Sequence, residues 1–142
     1  MNKWGIIGIG RIGLSMTRNM SDKGISLSIY DKAFENKLDP IFEEKNLYPE
    51  LKKVHVFNDI LNFIESIERP RKFIILVPSG NPNEEVISKL ITVLNENDII
   101  IDAGNTNPLI SYINKLKIAK NNILYLGLGV SGGTNKHEYI LF

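Results

Sequence analysis

The chain has 142 residues, of which 43% are hydrophobic and 23% are charged, a size and composition typical of one globular domain. Its formal net charge of +1 argues against nucleic-acid and anionic-membrane partners, and the lack of cysteine excludes disulfides and thiolate chemistry. A strand-like run follows Met1 closely and no apolar run reaches the roughly 18 residues of a membrane span, so we expect a cytoplasmic domain.

Six short strand-like runs alternate with helix-like runs along the whole chain. The predicted strands cover residues 3–9, 25–30, 53–57, 72–77, 98–102 and 123–127. Several are apolar throughout, as in 73–77, and such runs are typical of a parallel sheet covered on both faces. Pro40 and Pro49 predict an irregular segment over 33–52. We therefore predict an α/β fold: a Rossmann-type, doubly wound parallel sheet of about six strands in a single domain.

The helix-like runs carry apolar stripes and end signals. The first predicted helix covers about 11–23 and ends at Gly24, a residue suited to the left-handed conformation that closes a helix. Ahead of a later helix, Asn81 is predicted as the N-cap, with Pro82 in the first turn and Glu84 as its capping-box partner. We expect three stripes to face the core: Ile60, Leu61, Ile64 and Ile67; Val86, Ile87, Leu90, Ile91 and Leu94; and Ile110, Ile113 and Leu116.

Glycines at the spacing of a dinucleotide site follow the first predicted strand. Gly8, Gly10 and Gly13 form the pattern G-x-G-x-x-G, and Asp31 closes the next apolar run. In this pattern the first glycine permits a tight turn, the second lets the backbone approach a pyrophosphate, and the third lets the helix pack on the sheet. The amino end of that helix then faces the phosphates. The context favours a nucleotide site over a glycine-rich turn that only joins a strand to a helix.

Four loops are expected to line the crevice where the strand order of such a sheet reverses. All four are rich in glycine, proline, serine or asparagine, and they cover residues 8–13, 77–80, 102–106 and 127–133. Turn chemistry accounts for any one of these compositions. Because small and polar residues occur in all four loops, we interpret them together as one binding crevice.

These segments resemble the coenzyme domain of 6-phosphogluconate dehydrogenase, within the wider 3-hydroxyacid dehydrogenase superfamily. The resemblance rests on Gly8-Ile-Gly-Arg-Ile-Gly13, Pro70-Arg71, Val77-Pro-Ser-Gly80, Asp102-Ala-Gly-Asn-Thr106 and Gly129-Val-Ser-Gly-Gly133. It implies an NAD(P)-binding domain over 1–133, with a divergent tail over 134–142. It also implies a role in the pentose phosphate pathway, where this family of oxidoreductases oxidises and decarboxylates 6-phosphogluconate to ribulose 5-phosphate.

The resemblance also implies roles for individual residues. The expected cofactor-binding residues are Gly8, Gly10, Arg11, Ile12, Gly13, Asp31, Lys32, Val77, Pro78, Ser79 and Asn105. The expected substrate-binding residues are Asn105, Ser131, Gly132 and Gly133. In this scheme Val77 and Pro78 pack near the nicotinamide, and Asn105 hydrogen-bonds between cofactor and substrate. The alternatives are a turn or capping role for Asn105 and a plain flexible loop at Ser131.

Asp31 is the residue expected to decide between NAD and NADP. A carboxylate at the end of the second strand accepts hydrogen bonds from both ribose hydroxyls and repels a 2′-phosphate. NADP-using relatives resemble one another in having Asn-Arg-Thr there, whereas this chain has Asp31-Lys-Ala33. The cofactor is therefore expected to be NAD rather than NADP, although Lys32 could pair with a phosphate. A simple turn role is the alternative for Asp31.

The resemblance ends after Gly133. The family's catalytic lysine and glutamate lie in a C-terminal helical domain beyond that point, so no catalytic residue is assigned here. No metal site is predicted either. We expect a shortened or frame-disrupted product, or half of a split enzyme for which a protein partner could supply the helical domain; local drift of the tail sequence is the alternative. Lys136, His137 and Glu138 are expected to form an exposed tail, and His55 is expected to be structural or on the surface.

Whether the chain belongs to an active enzyme stays open at this point. The leading interpretation is the cofactor domain of a 6-phosphogluconate dehydrogenase-like oxidoreductase that is not catalytic alone. The alternatives are a non-catalytic NAD(H)-binding module, one half of a split enzyme, and a dehydrogenase of a smaller 3-hydroxyacid. A methyltransferase with the same fold is a further alternative, but the asparagine and serine-glycine-glycine loops fit a polyhydroxy acid better.

Overall fold

A computed structural model describes residues 1–132 and 139–141 of the chain. Its strands are β1 (Trp4–Ile7), β2 (Leu27–Tyr30), β3 (His55–Phe57), β4 (Lys72–Ile75), β5 (Ile99–Asp102), β6 (Leu124–Gly127), β7 (Val130–Gly132) and β8 (Tyr139–Leu141). Its α-helices are α1 (Arg11–Asp22), α2 (Phe42–Leu47), α3 (Ile60–Glu65), α4 (Asn81–Val93) and α5 (Pro108–Ala119). Short 3-10 helices cover Lys32–Phe34 and Pro49–Lys53.

The first six strands form one parallel sheet in the order β3-β2-β1-β4-β5-β6. In the centre, Ile6 of β1 lies opposite Ile29 of β2 on one side and Ile74 of β4 on the other. The order reverses between β1 and β4, because β2 and β3 follow β1 to one side while β4, β5 and β6 extend to the other. The predicted Rossmann-type sheet is confirmed, and each predicted strand is present within its predicted bounds.

Both faces of the central strands are covered, which explains why these strands are apolar without alternation. Ile6 packs on one face against Met16 of α1, whereas its neighbour Ile7 packs on the other face. The second face also buries Ile75 of β4 and Leu90 of α4, each less than 2% exposed. Burying such a side chain stabilises the fold by about 1.5–3 kcal/mol, so strands between two helical layers gain from apolar residues at every position.

An aromatic cluster around Phe63 fixes α3 on the sheet. The ring of Phe63 lies 5.8 Å from Tyr30, 6.2 Å from Phe57 and 5.7 Å from Phe73, measured between ring centroids. The predicted stripe on this helix is wrong at Leu61, which is 55% exposed. The reason is the start of the helix: the N-cap Asp59 accepts from the backbone N–H of Asn62 at 2.9 Å. The face that meets the sheet therefore contains Phe63 instead.

Helix α4 begins one residue earlier than the sequence predicts. The N-cap is Gly80, with φ +99° and no side-chain cap hydrogen bond, so Asn81 as N-cap and Glu84 as capping-box partner are both wrong. A positive φ is easily adopted by glycine, and it turns the chain directly into the helix. The predicted apolar stripe of this helix is confirmed. The predicted end of α1 is also confirmed, because Gly24 follows it with φ +77°.

Helix α5 buries a different face from the one predicted. Asn114 and Ile118 are buried, whereas Ile113 is 42% exposed and Leu116 is 52% exposed, so the predicted core role of the Ile110, Ile113 and Leu116 stripe is wrong. The helix contacts β6, the last strand of the sheet, through its more polar side. Exposed apolar side chains remain on α5 and β6, and we call them the α5–β6 apolar residues: Leu109, Tyr112, Ile113, Leu116, Leu124 and Leu126.

The segment between β2 and β3 is interrupted, as its prolines predict, but it packs firmly on α1. Its side chains Phe34, Ile41 and Leu51 are buried on the same face of the sheet as Met16. Arg18 of α1 pairs with Glu50 at 2.8 Å, and its guanidinium lies 3.5 Å from the centroid of the Tyr48 ring. The irregular segment is therefore a structural layer rather than a loose loop.

The end of the described chain forms a small second sheet, which was not predicted. The backbone of β8 pairs antiparallel with β7, with Ser131 opposite Ile140. Residues 139–141 of the predicted tail are thus a strand, while 133–138 and 142 lie outside the described residues. Within the described part of the chain, no helix has the length and apolar character needed to cross a membrane.

Candidate functional site

A cavity of about 460 Å³ lies at the carboxyl ends of β1, β2 and β4, where the strand order reverses. We call it the switch-point cleft. Its lining residues come from these strand ends and from α3 and α4, and they are Ile7, Gly8, Gly10, Tyr30, Asp31, Lys32, Ile60, Leu76, Val77, Pro78, Asn81, Pro82, Glu85, Val86 and Lys89. Six predicted cofactor-binding residues line it: Gly8, Gly10, Asp31, Lys32, Val77 and Pro78. The other five do not: Arg11, Ile12, Gly13, Ser79 and Asn105.

The glycine loop forms the floor of the cleft, and each glycine has a different environment. Gly8 has φ +94°, and a Cβ there would lie 2.8 Å from the carbonyl carbon of Leu76. A Cβ on Gly13 would overlap the carbonyl oxygen of Gly8, so α1 can pack this close to β1 only with glycine. A Cβ on Gly10 would meet nothing within 4 Å. The space beside Gly10 is therefore open to a ligand.

The amino end of α1 opens beside this loop. Gly10 is its N-cap and provides no side-chain cap hydrogen bond, and the first turn contains no acidic residue. Arg11, Ile12 and Gly13 form that first turn, whose N–H groups lack partners four residues earlier within the helix. Such N–H groups and the helix dipole together attract an anion. The three residues are thus placed to act through their backbone, although they are outside the cleft lining.

Asp31 is held beside the glycine loop by backbone donors. Its Oδ2 accepts from the N–H of Ile9 at 2.7 Å, and its Oδ1 accepts from the N–H of Ala33 at 2.8 Å. A carboxylate has about four acceptor positions, so each oxygen keeps capacity for one more donor. The turn role considered for Asp31 is therefore real, and it orients the carboxylate into the cleft.

A neutral tyrosine forms the wall next to Asp31. The hydroxyl of Tyr30 donates to Oε1 of Glu35 at 2.6 Å. Burial and this hydrogen bond raise the pKa of Tyr30 above its usual value, so the phenol stays protonated at physiological pH. The tyrosine adds aromatic surface but no charge to the cleft.

An ion pair joins the two sides of the cleft at its rim. Nζ of Lys32, just after β2, lies 3.2 Å from Oε2 of Glu85 on α4, and both side chains are more than half exposed. Glu85 was not predicted as a site residue, nor were the other α4 residues that line the cleft. A signal was available: positions 82, 85, 86 and 89 share one helix face, and α4 follows a strand that ends at the switch point.

A second cavity, of about 770 Å³, lies at the carboxyl ends of β5 and β6. Its lining includes Asn105 and Ser131, which are two of the predicted substrate-binding residues. Gly132 belongs to β7, and Gly133 lies outside the described residues, as do Lys136, His137 and Glu138. We call this space the β5–β6 cavity.

Asn105 links the loop after β5 to the start of β7. Its Nδ2 donates to the carbonyl of Val130 at 2.9 Å, and its Oδ1 accepts from the N–H of Val130 at 2.9 Å. The amide therefore has a structural role, with one donor hydrogen and one acceptor position left over. In the same loop, a Cβ on Gly104 would overlap the carbonyl oxygen of Val77. The loops after β4 and β5 thus touch, and they bring the two cavities side by side.

A buried carboxylate organises the β5–α5 loop. Asp102 is only 1% exposed and accepts from Tyr125, Thr106, Asn83 and the backbone of Gly104, at 2.8, 2.9, 3.1 and 3.1 Å respectively. Four donors compensate the cost of burying this charge. Burial and the hydrogen bond to Asp102 raise the pKa of Tyr125 to about 12. Asp102 was predicted only as part of a crevice loop, because two of its four partners, Asn83 and Tyr125, are 19 and 23 positions away.

The amino-acid sequence of this domain matches a known family. The sequence model of the NAD binding domain of 6-phosphogluconate dehydrogenase matches residues 3–139, almost the whole chain. The chain belongs to this family. The predicted family membership is thereby confirmed, as is the expectation of a nicotinamide dinucleotide, NAD or NADP, as the cofactor of such a domain.

Individual relatives support the same assignment. The chain is 37% identical over 129 residues to the decarboxylating 6-phosphogluconate dehydrogenase of Chlamydia muridarum, and 33% identical over 129 residues to that of Staphylococcus aureus strain N315. Each alignment covers 91% of this chain and 26% of the relative. The chain therefore spans about a quarter of the length of these curated relatives.

Solved structures show the same fold. A Plasmodium falciparum 6-phosphogluconate dehydrogenase, described in apo form and in complexes with its cofactor NADP+ and its substrate 6-phosphogluconate, matches with a TM-score of 0.80 and 28% identity. That match covers 93% of this chain and 28% of the Plasmodium chain. A Mycobacterium tuberculosis 3-hydroxyisobutyrate dehydrogenase matches with a TM-score of 0.73, covering 94% of this chain and 42% of its own. Its identity is 16%, so it shows the fold alone.

The histidine of β3 lies outside both cavities. His55 is exposed, and its Nδ1 lies 2.7 Å from Nδ2 of Asn2 at the start of the chain. It lines neither the switch-point cleft nor the β5–β6 cavity. This agrees with the expectation of a structural or surface residue.

Proposed function

We propose that the chain is the cofactor domain of a 6-phosphogluconate dehydrogenase-like oxidoreductase and that it binds NAD(H) in the switch-point cleft. The hydrogen bond from Ile9 to Asp31, at 2.7 Å, is the observation that carries this proposal. It holds a carboxylate beside the glycine loop, within reach of a ribose bound there. The pyrophosphate would then occupy the open space beside Gly10 and meet the first-turn N–H groups of α1.

Asp31 is proposed to select NAD over NADP. Its two oxygens each have a free acceptor position for a ribose hydroxyl, and charge-assisted hydrogen bonds of this kind contribute about 1.5–3 kcal/mol each. A 2′-phosphate placed at the same point would bring two anionic groups together, and it would offer no donor to the carboxylate. The same side chain therefore favours NAD and disfavours NADP.

The nicotinamide and the substrate are proposed to meet where the two cavities adjoin. Val77 and Pro78 are proposed to pack near the nicotinamide, and Asn105 to use its remaining donor and acceptor between cofactor and substrate. Ser131, Gly132 and Gly133 are proposed to bind the carboxylate or hydroxyls of 6-phosphogluconate. The contact between Gly104 and the backbone of Val77 supports this placement, since it puts both loops at one edge of the sheet.

In the curated relatives, a domain like this one forms about a quarter of a longer protein. The reaction is proposed for such a longer protein. In it, a base would take the proton of the C3 hydroxyl of 6-phosphogluconate, and bound NAD+ would supply the hydride acceptor for oxidation of that carbon. The resulting 3-keto acid loses carbon dioxide and is protonated to ribulose 5-phosphate. We propose that the base and the acid come from a helical domain beyond 1–133, whereas this domain orients the cofactor and one side of the substrate.

The α5–β6 apolar residues are proposed to be covered by that helical domain. These six side chains are each between 42% and 67% exposed, a large amount of exposed apolar surface for a small domain. The relatives have about three quarters of their length outside the matched region, enough for a large all-helical partner. Turnover of 6-phosphogluconate would then require this domain together with the helical one.

Calorimetric titration of the purified chain tests the proposal. NADH is expected to bind more tightly than NADPH, and Asp31→Asn is expected to weaken NADH binding about tenfold or more, the effect of losing charge-assisted hydrogen bonds. Glu43→Gln is the matched control, because it removes one negative charge from an exposed position outside the cleft. Binding of neither dinucleotide, or tighter binding of NADPH to the unmodified chain, would refute the proposal.

The same titration distinguishes the substrate alternatives. With NADH bound, 6-phosphogluconate is expected to give a further binding signal, whereas 3-hydroxyisobutyrate would do so if the domain belongs to a dehydrogenase of smaller hydroxyacids. A chain that binds NADH but responds to neither acid would favour a non-catalytic NAD(H)-binding module.

A further inference from the structure

Four charged side chains surround the mouth of the switch-point cleft. Asp31 and Glu85 are acidic, and Lys32 and Lys89 are basic. Within the described residues, Lys32 pairs with Glu85 at 3.2 Å, whereas Lys89 forms no ion pair within 4 Å. The cation closest in sequence to Asp31 is therefore already paired with an acidic residue from the opposite wall.

This pairing changes the role of Lys32. An unpaired ammonium beside Asp31 could bind a 2′-phosphate and offset the repulsion from the carboxylate. With Glu85 against it, the ammonium is partly neutralised, and the phosphate would also meet a second carboxylate. Glu85 thus disfavours NADP both by neutralising Lys32 and by repelling the 2′-phosphate. The uncharged ribose hydroxyls of NAD are not affected by either interaction.

We propose that Glu85 is a second determinant of cofactor choice, which excludes NADP by pairing with Lys32 across the mouth of the cleft. This rests on the proposed binding of a nicotinamide dinucleotide in that cleft. Glu85 touches Lys32 rather than the reacting atoms, so it is a specificity determinant and has no part in hydride transfer. Because both side chains are exposed, the effect is modest and decreases as salt screens the charges.

Two variants with opposite expected effects test the inference. Glu85→Gln keeps the size of the side chain but releases Lys32, so the affinity for NADPH is expected to rise about three- to tenfold while that for NADH changes less than about twofold. Lys32→Met leaves two unneutralised carboxylates at the rim, so the affinity for NADPH is expected to fall. In the double variant, the gain from Glu85→Gln is expected to disappear, because there is no ammonium left to release.

Glu84→Gln is the matched control. Glu84 precedes Glu85 on the same helix, is exposed, and does not line the cleft. Its substitution removes the same charge from almost the same place, so the ratio of NADPH to NADH affinity is expected to stay within about twofold of the unmodified chain. Thermal unfolding of each variant checks that the fold is retained, as expected for exposed side chains.

Three results would overturn the inference. Glu84→Gln could raise NADPH affinity as much as Glu85→Gln, which would indicate a general charge effect. Glu85→Gln and Lys32→Met could shift the affinity ratio in the same direction, or Glu85→Gln could leave it unchanged, which would show that the pair does not control cofactor choice. If the unmodified chain binds NADH and only these shifts are missing, the proposed function stands; if it binds neither dinucleotide, both proposals fall.

Discussion

Two alanine substitutions in the glycine loop separate cofactor binding from folding. A Cβ on Gly10 would have no neighbour within 4 Å, and the residue has φ −79° and ψ −160°, an extended conformation that alanine adopts freely. A Cβ on Gly13 would overlap the carbonyl oxygen of Gly8. We therefore expect Gly10→Ala to fold normally and lose affinity for NADH, and Gly13→Ala to lose stability.

The magnitudes follow from these two environments. At Gly10, alanine is a poorer N-cap than glycine, but it also restricts the unfolded chain by about 0.4–1 kcal/mol, so the net change in stability is expected to stay within about 0.5 kcal/mol. If the pyrophosphate occupies the open space, the added methyl group costs about 1–3 kcal/mol of binding, or about five- to hundredfold in affinity. At Gly13, the backbone of β1 or α1 must shift, which costs about 1–3 kcal/mol of folding stability or more.

Thermal unfolding and calorimetric titration of both variants make the comparison. For Gly13→Ala the unfolding midpoint is expected to fall by about 3 °C or more, whereas that of Gly10→Ala stays close to the unmodified chain. The reasoning would be refuted by a Gly10→Ala protein that binds NADH with undiminished affinity, since the phosphates would then lie elsewhere. An undisturbed midpoint for Gly13→Ala would show that α1 does not need its close packing on β1.

Two further predictions concern the buried carboxylate of β5. The pKa of Tyr125 is raised to about 12 in the folded chain, whereas a tyrosine in the unfolded chain ionises near pH 10. The stabilising contribution of Tyr125 is therefore complete below about pH 10 and is lost as the pH rises from 10 towards 12. The free energy of unfolding is expected to fall over this pH range, and to fall less steeply for Tyr125→Phe. Equal slopes of unfolding free energy against pH for the two proteins would contradict this role of Tyr125. Asp102→Ala is expected to destabilise the chain by about 3 kcal/mol or more in denaturant unfolding, because it leaves four donors unpaired, and a change below about 1 kcal/mol would contradict this.

The fold could be predicted from the sequence because its signals are local. Apolar runs of four or five residues, a glycine after the first run and helical stripes between runs leave few arrangements other than a doubly wound sheet. The sequence-based predictions were wrong where the buried face of a helix is decided by the elements packed against it. Ile113 and Leu116 have helical spacing, yet spacing alone does not tell whether a partner is present to cover them. At α4, the left-handed conformation of Gly80 started the helix before Asn81.

The site was predicted in part, and the missing part has a physical pattern. Gly8, Gly10 and Asp31 were identifiable because each follows a strand at a spacing that the chemistry of a dinucleotide requires. Glu85 was missed: its helical spacing with positions 82, 86 and 89 was a signal, but which face of α4 meets the cleft depends on how the helix packs on the sheet. Similarly, the hydrogen bonds of Asn105 to Val130 join residues 25 positions apart, and no local pattern indicates them.

The sequence by itself determined the order of elements, the glycine turn and the carboxylate at the end of β2, since these depend on backbone sterics and on spacing along the chain. Only the tertiary structure decided which charges meet. Lys32 and Glu85 are 53 positions apart and form a pair only because β2 ends and α4 begins at the same edge of the sheet. Electrostatic pairing depends on distance in space, which the chain order does not contain, so the proposed control of cofactor choice became visible only in the folded protein.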